Sequence, residues 1–69
     1  METENSLEPT FEIREDEGMV TVYTPDGKLY ETTEILYASL PEQVRQKIRD
    51  GYVIRGKQRL YGFLENYSS

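Results

Sequence analysis

The spacing of apolar residues changes once along the chain, and this change restricts the fold to a set of strands followed by helices. Up to about residue 35, apolar and polar residues alternate, which is the pattern of half-buried strands. Glycine-containing turns at residues 15–18 and 25–27 interrupt the alternation. We therefore predict an antiparallel three-stranded meander, with strands in residues 10–14, 19–24 and 29–35.

The first helix is predicted where the apolar residues begin to recur every fourth position, from Leu40 to Ile48. Ser39 and Glu42 are spaced for a capping box, in which each side chain binds a backbone N–H at the start of the helix. Gly51 is placed to end this helix in the left-handed conformation.

A second helix is predicted near the C-terminus, and we expect it to depend on docking. Its apolar residues fall at i, i+3, i+4 and i+7, namely Leu60, Phe63, Leu64 and Tyr67. Gly62 costs this helix about 1 kcal/mol relative to alanine. Residues 52–54 form either an edge strand or an extended connector. The predicted order is βββ-α-(β)-α, an α+β fold with a three-stranded antiparallel meander covered by two C-terminal helices.

The length of the chain allows a single small domain. A core built from 69 residues supplies a net stability of about 3–5 kcal/mol. Residues 1–9 are polar and acidic, so we expect a flexible tail there, followed by one domain over residues 10–69. No apolar run reaches the roughly 18–20 residues of a membrane span, and the N-terminus lacks the pattern of an export signal.

The residue types of common catalytic and metal sites are missing or poorly placed. The chain has no His and no Cys, which removes the usual proton-transfer side chain, thiolate nucleophiles and the commonest zinc ligands. The acidic run at residues 15–17 is too short for a calcium-binding loop. Glu12 and Glu34 are interpreted as solvated carboxylates rather than an acid/base pair. We predict no enzyme activity, no cofactor and no metal.

Charge is unevenly distributed along the chain, whose net charge is −5. Residues 1–44 contain 11 acidic and 2 basic residues, whereas residues 45–59 contain 6 basic residues and 1 acidic residue. This basic segment either balances the acidic hairpins within the domain or forms a docking face for an acidic partner. Its candidate partner-binding residues are Arg45, Arg49, Arg55, Lys57 and Arg59.

Nucleic-acid binding is the alternative function. Two helices within residues 40–66, with Lys57 and Arg59 at the start of the second, crudely resemble a helix-turn-helix. The apolar, extended connector and the negative net charge oppose this interpretation. We therefore favour another protein as the partner.

The tyrosines are a second candidate interaction feature. The default role of the six is to fill a semi-buried core with the hydroxyl at its rim, and we favour this role for Tyr52 and Tyr67. Tyr23 and Tyr30 are candidates for an exposed sheet face. If Met19, Thr21 and Tyr23 share that face, they form an apolar patch suited to a partner.

An ordered series of short motifs in the chain resembles a known family. The series consists of Gly18 before a strand, Thr33-Glu34-Ile35, Leu40-Pro41, Gly51, Leu60, Leu64 and Glu65-Asn66-Tyr67-Ser68-Ser69. Over about residues 11–69 it resembles the C-terminal domain of BofC, the bypass of forespore C protein of spore-forming Firmicutes.

The resemblance to BofC implies a small bacterial interaction module. Full-length members of that family are exported and restrain a serine protease in a sporulation checkpoint, without catalysing a reaction. The resemblance implies an extracytoplasmic or membrane-tethered location if the chain is excised from a longer protein. Otherwise the expected location is cytoplasmic.

Overall fold

A computed structural model describes residues 9–68, which form a four-stranded antiparallel sheet and two helices. The α+β class and the order βββ-α-(β)-α are confirmed. Apart from Pro9, the predicted tail lies outside the described residues. The elements are β1 (Thr10–Asp16), β2 (Met19–Tyr23), β3 (Leu29–Leu36), α1 (Glu42–Asp50), β4 (Tyr52–Arg55) and α2 (Lys57–Tyr67).

The strands are arranged in the order β3-β2-β1-β4, and every neighbouring pair is antiparallel. β1, β2 and β3 form the predicted meander. β4 pairs with the other side of β1, so residues 52–54 add an edge strand rather than an extended connector. β3 forms the opposite edge of the sheet.

Both helices cover the same face of the sheet. Side chains alternate between the two sides of a strand, and Val20 and Val22 of β2 are fully buried on the covered face. α1 contributes Ile48, and α2 contributes Leu60 and Leu64. The core residues are Phe11, Ile13, Val20, Val22, Ile35, Leu40, Ile48, Ile54, Leu60 and Leu64.

The other face of the sheet has no helix against it in residues 9–68. A cross-strand row on this face runs from Val53 of β4 to Leu29 of β3, with Tyr23 between them. Val53 and Leu29 are more than half exposed. Met19, Thr21 and Tyr23 share this face, as considered from the sequence, but Thr21 is buried between its cross-strand neighbours.

The predicted capping box at the start of α1 is wrong. Pro41 is the N-cap residue and the helix begins at Glu42. Ser39 ends a turn of 3₁₀ helix, Tyr37–Ser39, and its hydroxyl donates to the carbonyl of Leu36 at 2.7 Å. Because α1 begins two residues later than the box requires, Glu42 occupies the first helical position instead of the third.

The predicted end of α1 at Gly51 is confirmed. Gly51 has a left-handed backbone (φ 101°, ψ 81°), and its N–H donates to the carbonyl of Ile48 at 3.2 Å. Tyr52 follows directly, and its ring packs edge-on against Phe63 of α2 with centroids 5.4 Å apart. Neither helix within residues 9–68 is long and apolar enough to cross a membrane.

Replacing Gly62 by alanine is expected to raise the free energy of unfolding by about 0.5–1 kcal/mol. A methyl group at this position of α2 meets no atom within 4 Å. Urea denaturation followed by circular dichroism measures the change. Gly51→Ala is the matched comparison and should be destabilising, because the backbone there has a positive φ. Destabilisation by Gly62→Ala would contradict the exposed position of this residue.

Candidate functional site

A groove runs between the edge strand β3 and the C-terminal half of α2. Its volume is about 670 Å³, and it is open to solvent. Its apolar and aromatic lining residues are Ile35 and Leu36 of β3 and Tyr61, Leu64 and Tyr67 of α2. Ile35 and Leu64 are also members of the core. The groove therefore reaches down to the contact between the sheet and α2.

The outer edge of β3 borders this groove. Within residues 9–68, β3 has a partner strand on one side only. A strand at the edge of a sheet presents backbone N–H and C=O groups that the sheet does not use. β3 is also the longer of the two edge strands, with 8 residues against 4 in β4.

The shape of β3 depends on Thr33. The register between β2 and β3 shifts at two places, so that β3 contains bulges. At one of them the Thr33 hydroxyl donates to the carbonyl of Val20 at 2.7 Å and accepts the N–H of Ile35 at 3.1 Å. This pair of hydrogen bonds holds the irregular part of β3 that lines the groove.

A hydrogen bond links α2 to β3 beside the groove. The Tyr61 hydroxyl donates to Oε1 of Glu31 at 2.9 Å. The neighbouring Tyr30 hydroxyl and the Glu31 carboxylate raise the pKa of Tyr61, because both favour the neutral phenol. On the open face, the hydrogen bond to Asp16 raises the pKa of Tyr23 for the same reason.

The stability of the domain is expected to fall as the pH rises above about 10. Unfolded tyrosines lose their proton near this pH, whereas Tyr61 and Tyr23 keep it to higher pH in the folded state. The contribution of these two tyrosines to the stability of the fold is therefore complete below about pH 10 and is lost as the pH rises further. Urea denaturation at a series of alkaline pH values should show that Tyr61→Phe loses less stability with rising pH than the wild type does. Equal losses would contradict the role of the bond to Glu31.

The groove is lined by acidic side chains. Glu31, Glu34 and Glu65 line it, and none of its lining residues is Lys or Arg. Within residues 9–68, no group of three or more acidic side chains is close enough to hold a metal ion. The three carboxylates are thus spread along the groove, and they make it attractive to positively charged groups.

Two of the candidate partner-binding arginines are engaged within the domain. Nη2 of Arg45 lies 2.6 Å from Oε1 of Glu42. Arg49 donates to the Tyr37 hydroxyl at 3.1 Å and to Oε1 of Gln46 at 2.8 Å. The Tyr37 hydroxyl raises the pKa of Arg49. For these two residues, the geometry favours charge balance within the domain.

The other three basic candidates are exposed. Arg55 ends β4, while Lys57 and Arg59 lie in the first turn of α2. None of them lines the groove between β3 and α2. The five candidates are thus divided between α1, where Arg45 and Arg49 are paired, and the junction of β4 with α2, where the other three are exposed.

The two candidate tyrosines lie on opposite faces of the sheet. Tyr23 is on the open face, where its ring centroid lies 5.0 Å from the Arg14 guanidinium and its hydroxyl donates to Asp16 at 3.0 Å. Tyr30 packs against Phe11 of the core, with ring centroids 4.7 Å apart. The expected exposed face is therefore wrong for Tyr30, because the register shift beside it changes the side on which its ring points.

The segment between the two helices is a strand of the sheet. In β4, Ile54 pairs with Phe11 and Tyr52 pairs with Ile13. A helix-turn-helix within residues 40–66 requires a tight turn at this point. The structure therefore adds no support to the nucleic-acid alternative.

Sequence reasoning did not identify the acidic groove. From the sequence, Glu34 is interpreted as a solvated carboxylate, and neither Glu31 nor Glu65 is a candidate site residue. The sequence does contain a signal for this groove. The third strand of the predicted meander carries glutamates, and it lies at an edge of the sheet unless a further strand pairs with it.

Comparison with protein-family models, with curated proteins and with solved structures finds no match. The resemblance to BofC stays a prediction.

Proposed function

We propose that this domain is a non-enzymatic protein-interaction module that binds a segment of a partner protein in the groove between β3 and α2. The observation that carries the proposal is the apolar lining from Ile35 and Leu64 at the bottom of an open groove. A groove of this kind lets a partner bury apolar side chains against the core of the domain.

Two further points agree with the proposal. Arg45 and Arg49 are already paired, so the α1 half of the basic segment offers fewer groups to a partner than its sequence suggests. The resemblance to BofC agrees with an interaction module that has no catalytic step. The exposed residues Arg55, Lys57 and Arg59 are the competing docking surface, and the experiment must separate them from the groove.

Selection from a displayed library of random peptides tests the proposal. We expect the wild-type domain to enrich peptides whose binding is lost in Glu65→Trp, because an indole ring at this exposed position of α2 fills part of the groove. Arg59→Trp is the matched control on the same helix and outside the groove. It should bind the enriched peptides like the wild type. Circular dichroism checks that both variants keep their helix content.

Two results would contradict the proposed site. One is the absence of any enriched peptide. The other is a set of peptides that lose affinity for Arg59→Trp and keep it for Glu65→Trp, which would move the docking site to the basic residues at the start of α2.

A further inference from the structure

We infer that the partner segment binds as an additional β-strand along the outer edge of β3, and that its residues alternate between basic and apolar types. This inference rests on the proposed docking groove and names its occupant. It follows from the backbone of β3, from the two chemically different parts of the groove lining and from the charge of that lining.

The outer edge of β3 presents backbone N–H and C=O groups to which a further strand can bind. Its 8 residues have a partner strand on one side only within the described chain. An extended peptide placed between β3 and α2 continues the hydrogen-bond ladder of the sheet, as in other cases of strand addition. A helix in the same position would leave the outer N–H and C=O groups of β3 without protein partners.

Successive side chains of an added strand point to opposite sides. Every second residue of the added strand faces the apolar lining, where Ile35 and Leu64 lie. The residues between them point to the other side of β3, where Glu34 is exposed, while Glu65 lies exposed on α2 at the rim of the groove. Apolar side chains suit the first set of positions, and lysine or arginine suits the second.

The acidic lining also argues against a second copy of this chain as the occupant. Antiparallel pairing of two β3 strands would bring Glu31 and Glu34 of one copy close to the same residues of the other. Like charges across a strand pair are destabilising. A basic segment replaces this repulsion with attraction, so the same glutamates hinder self-association and select the partner.

The inference is tested by titrating the labelled domain with four peptides whose ends are blocked and measuring the affinity of the domain for each. The probe alternates lysine with valine and is about as long as β3, which has 8 residues. Two comparison peptides carry glutamate or serine in place of lysine. The fourth is the lysine peptide with N-methyl groups on alternate amides on the edge that would face β3, which prevents the ladder from forming. We expect the lysine peptide to bind at least about tenfold more tightly than the other three.

A matched pair of variants tests the charges. Glu34→Gln with Glu65→Gln should weaken binding of the lysine peptide by about three- to tenfold and reduce its dependence on salt. Glu17→Gln with Asp50→Asn changes the net charge by the same amount at exposed positions outside the groove and should leave the affinity unchanged.

The outcomes distinguish failure of strand addition from failure of the docking groove itself. Equal binding of the N-methylated peptide would overturn strand addition. Equal binding of the glutamate or serine peptide in the groove would overturn the basic chemistry and leave the docking groove standing. If none of the four peptides binds although the library selection succeeds, the inference is overturned and the proposed function remains. If the selection also fails, the proposed function falls with it.

Discussion

Replacing Leu60 by alanine is expected to lower the free energy of unfolding by about 2–5 kcal/mol. Leu60 is fully buried and joins α2 to the core formed by the covered face of the sheet. The expected loss is comparable to the whole stability of about 3–5 kcal/mol that a core of this size supplies. We therefore expect Leu60→Ala to be largely unfolded, as circular dichroism and urea denaturation would report.

Leu60→Met is the control for this prediction. It nearly conserves the side-chain volume and should cost less than about 1.5 kcal/mol. If Leu60→Ala lowers the free energy of unfolding no more than Leu60→Met does, α2 does not depend on its docking against the sheet. The groove would then lack the fixed wall that the proposed function needs.

Replacing Thr33 by valine is expected to lower the free energy of unfolding by about 1–3 kcal/mol. The two side chains have nearly the same shape, so the effect comes from the hydroxyl. Its loss leaves the carbonyl of Val20 and the N–H of Ile35 without their partner in the bulge of β3. Amide hydrogen exchange should show that Thr33→Val speeds up exchange, relative to the wild type, more in β3 than in β1.

Thr32→Val provides the comparison for Thr33→Val. Thr32 is the exposed neighbour in the same strand, and the substitution there should change the stability by less than about 0.5 kcal/mol. Equal effects at the two positions would show that the Thr33 hydroxyl does not hold the bulge.

The order of elements could be predicted because each one depends on local rules. Alternation identified the three strands of the meander, and the spacing from Leu60 to Tyr67 identified α2 despite Gly62. The capping box failed for a local reason as well. Pro41 lies at the N-cap, so the helix begins at Glu42, and Ser39 is used by the preceding 3₁₀ turn. The sequence fits a capping box with Ser39 at the N-cap, but the helix starts two residues later.

The candidate site could not be predicted because it depends on contacts between distant parts of the chain. Glu31 and Glu65 come to one groove only when α2 lies against the sheet beside β3. The position of Tyr30 depends on a register shift that alternation does not reveal.

The basic segment was visible in the sequence. Part of its pairing is local, since Arg45 binds Glu42 one turn earlier in α1. The contact of Arg49 with Tyr37 depends on the packing of α1 beside the preceding turn.

The most direct test of the docking groove is a map of the amide chemical-shift changes in the labelled domain when an enriched peptide binds. We expect the largest changes to fall in β3 and in the C-terminal half of α2, together with cross-strand contacts between the peptide and β3. Changes centred on Arg55, Lys57 and Arg59, or on the open face around Tyr23, would contradict it.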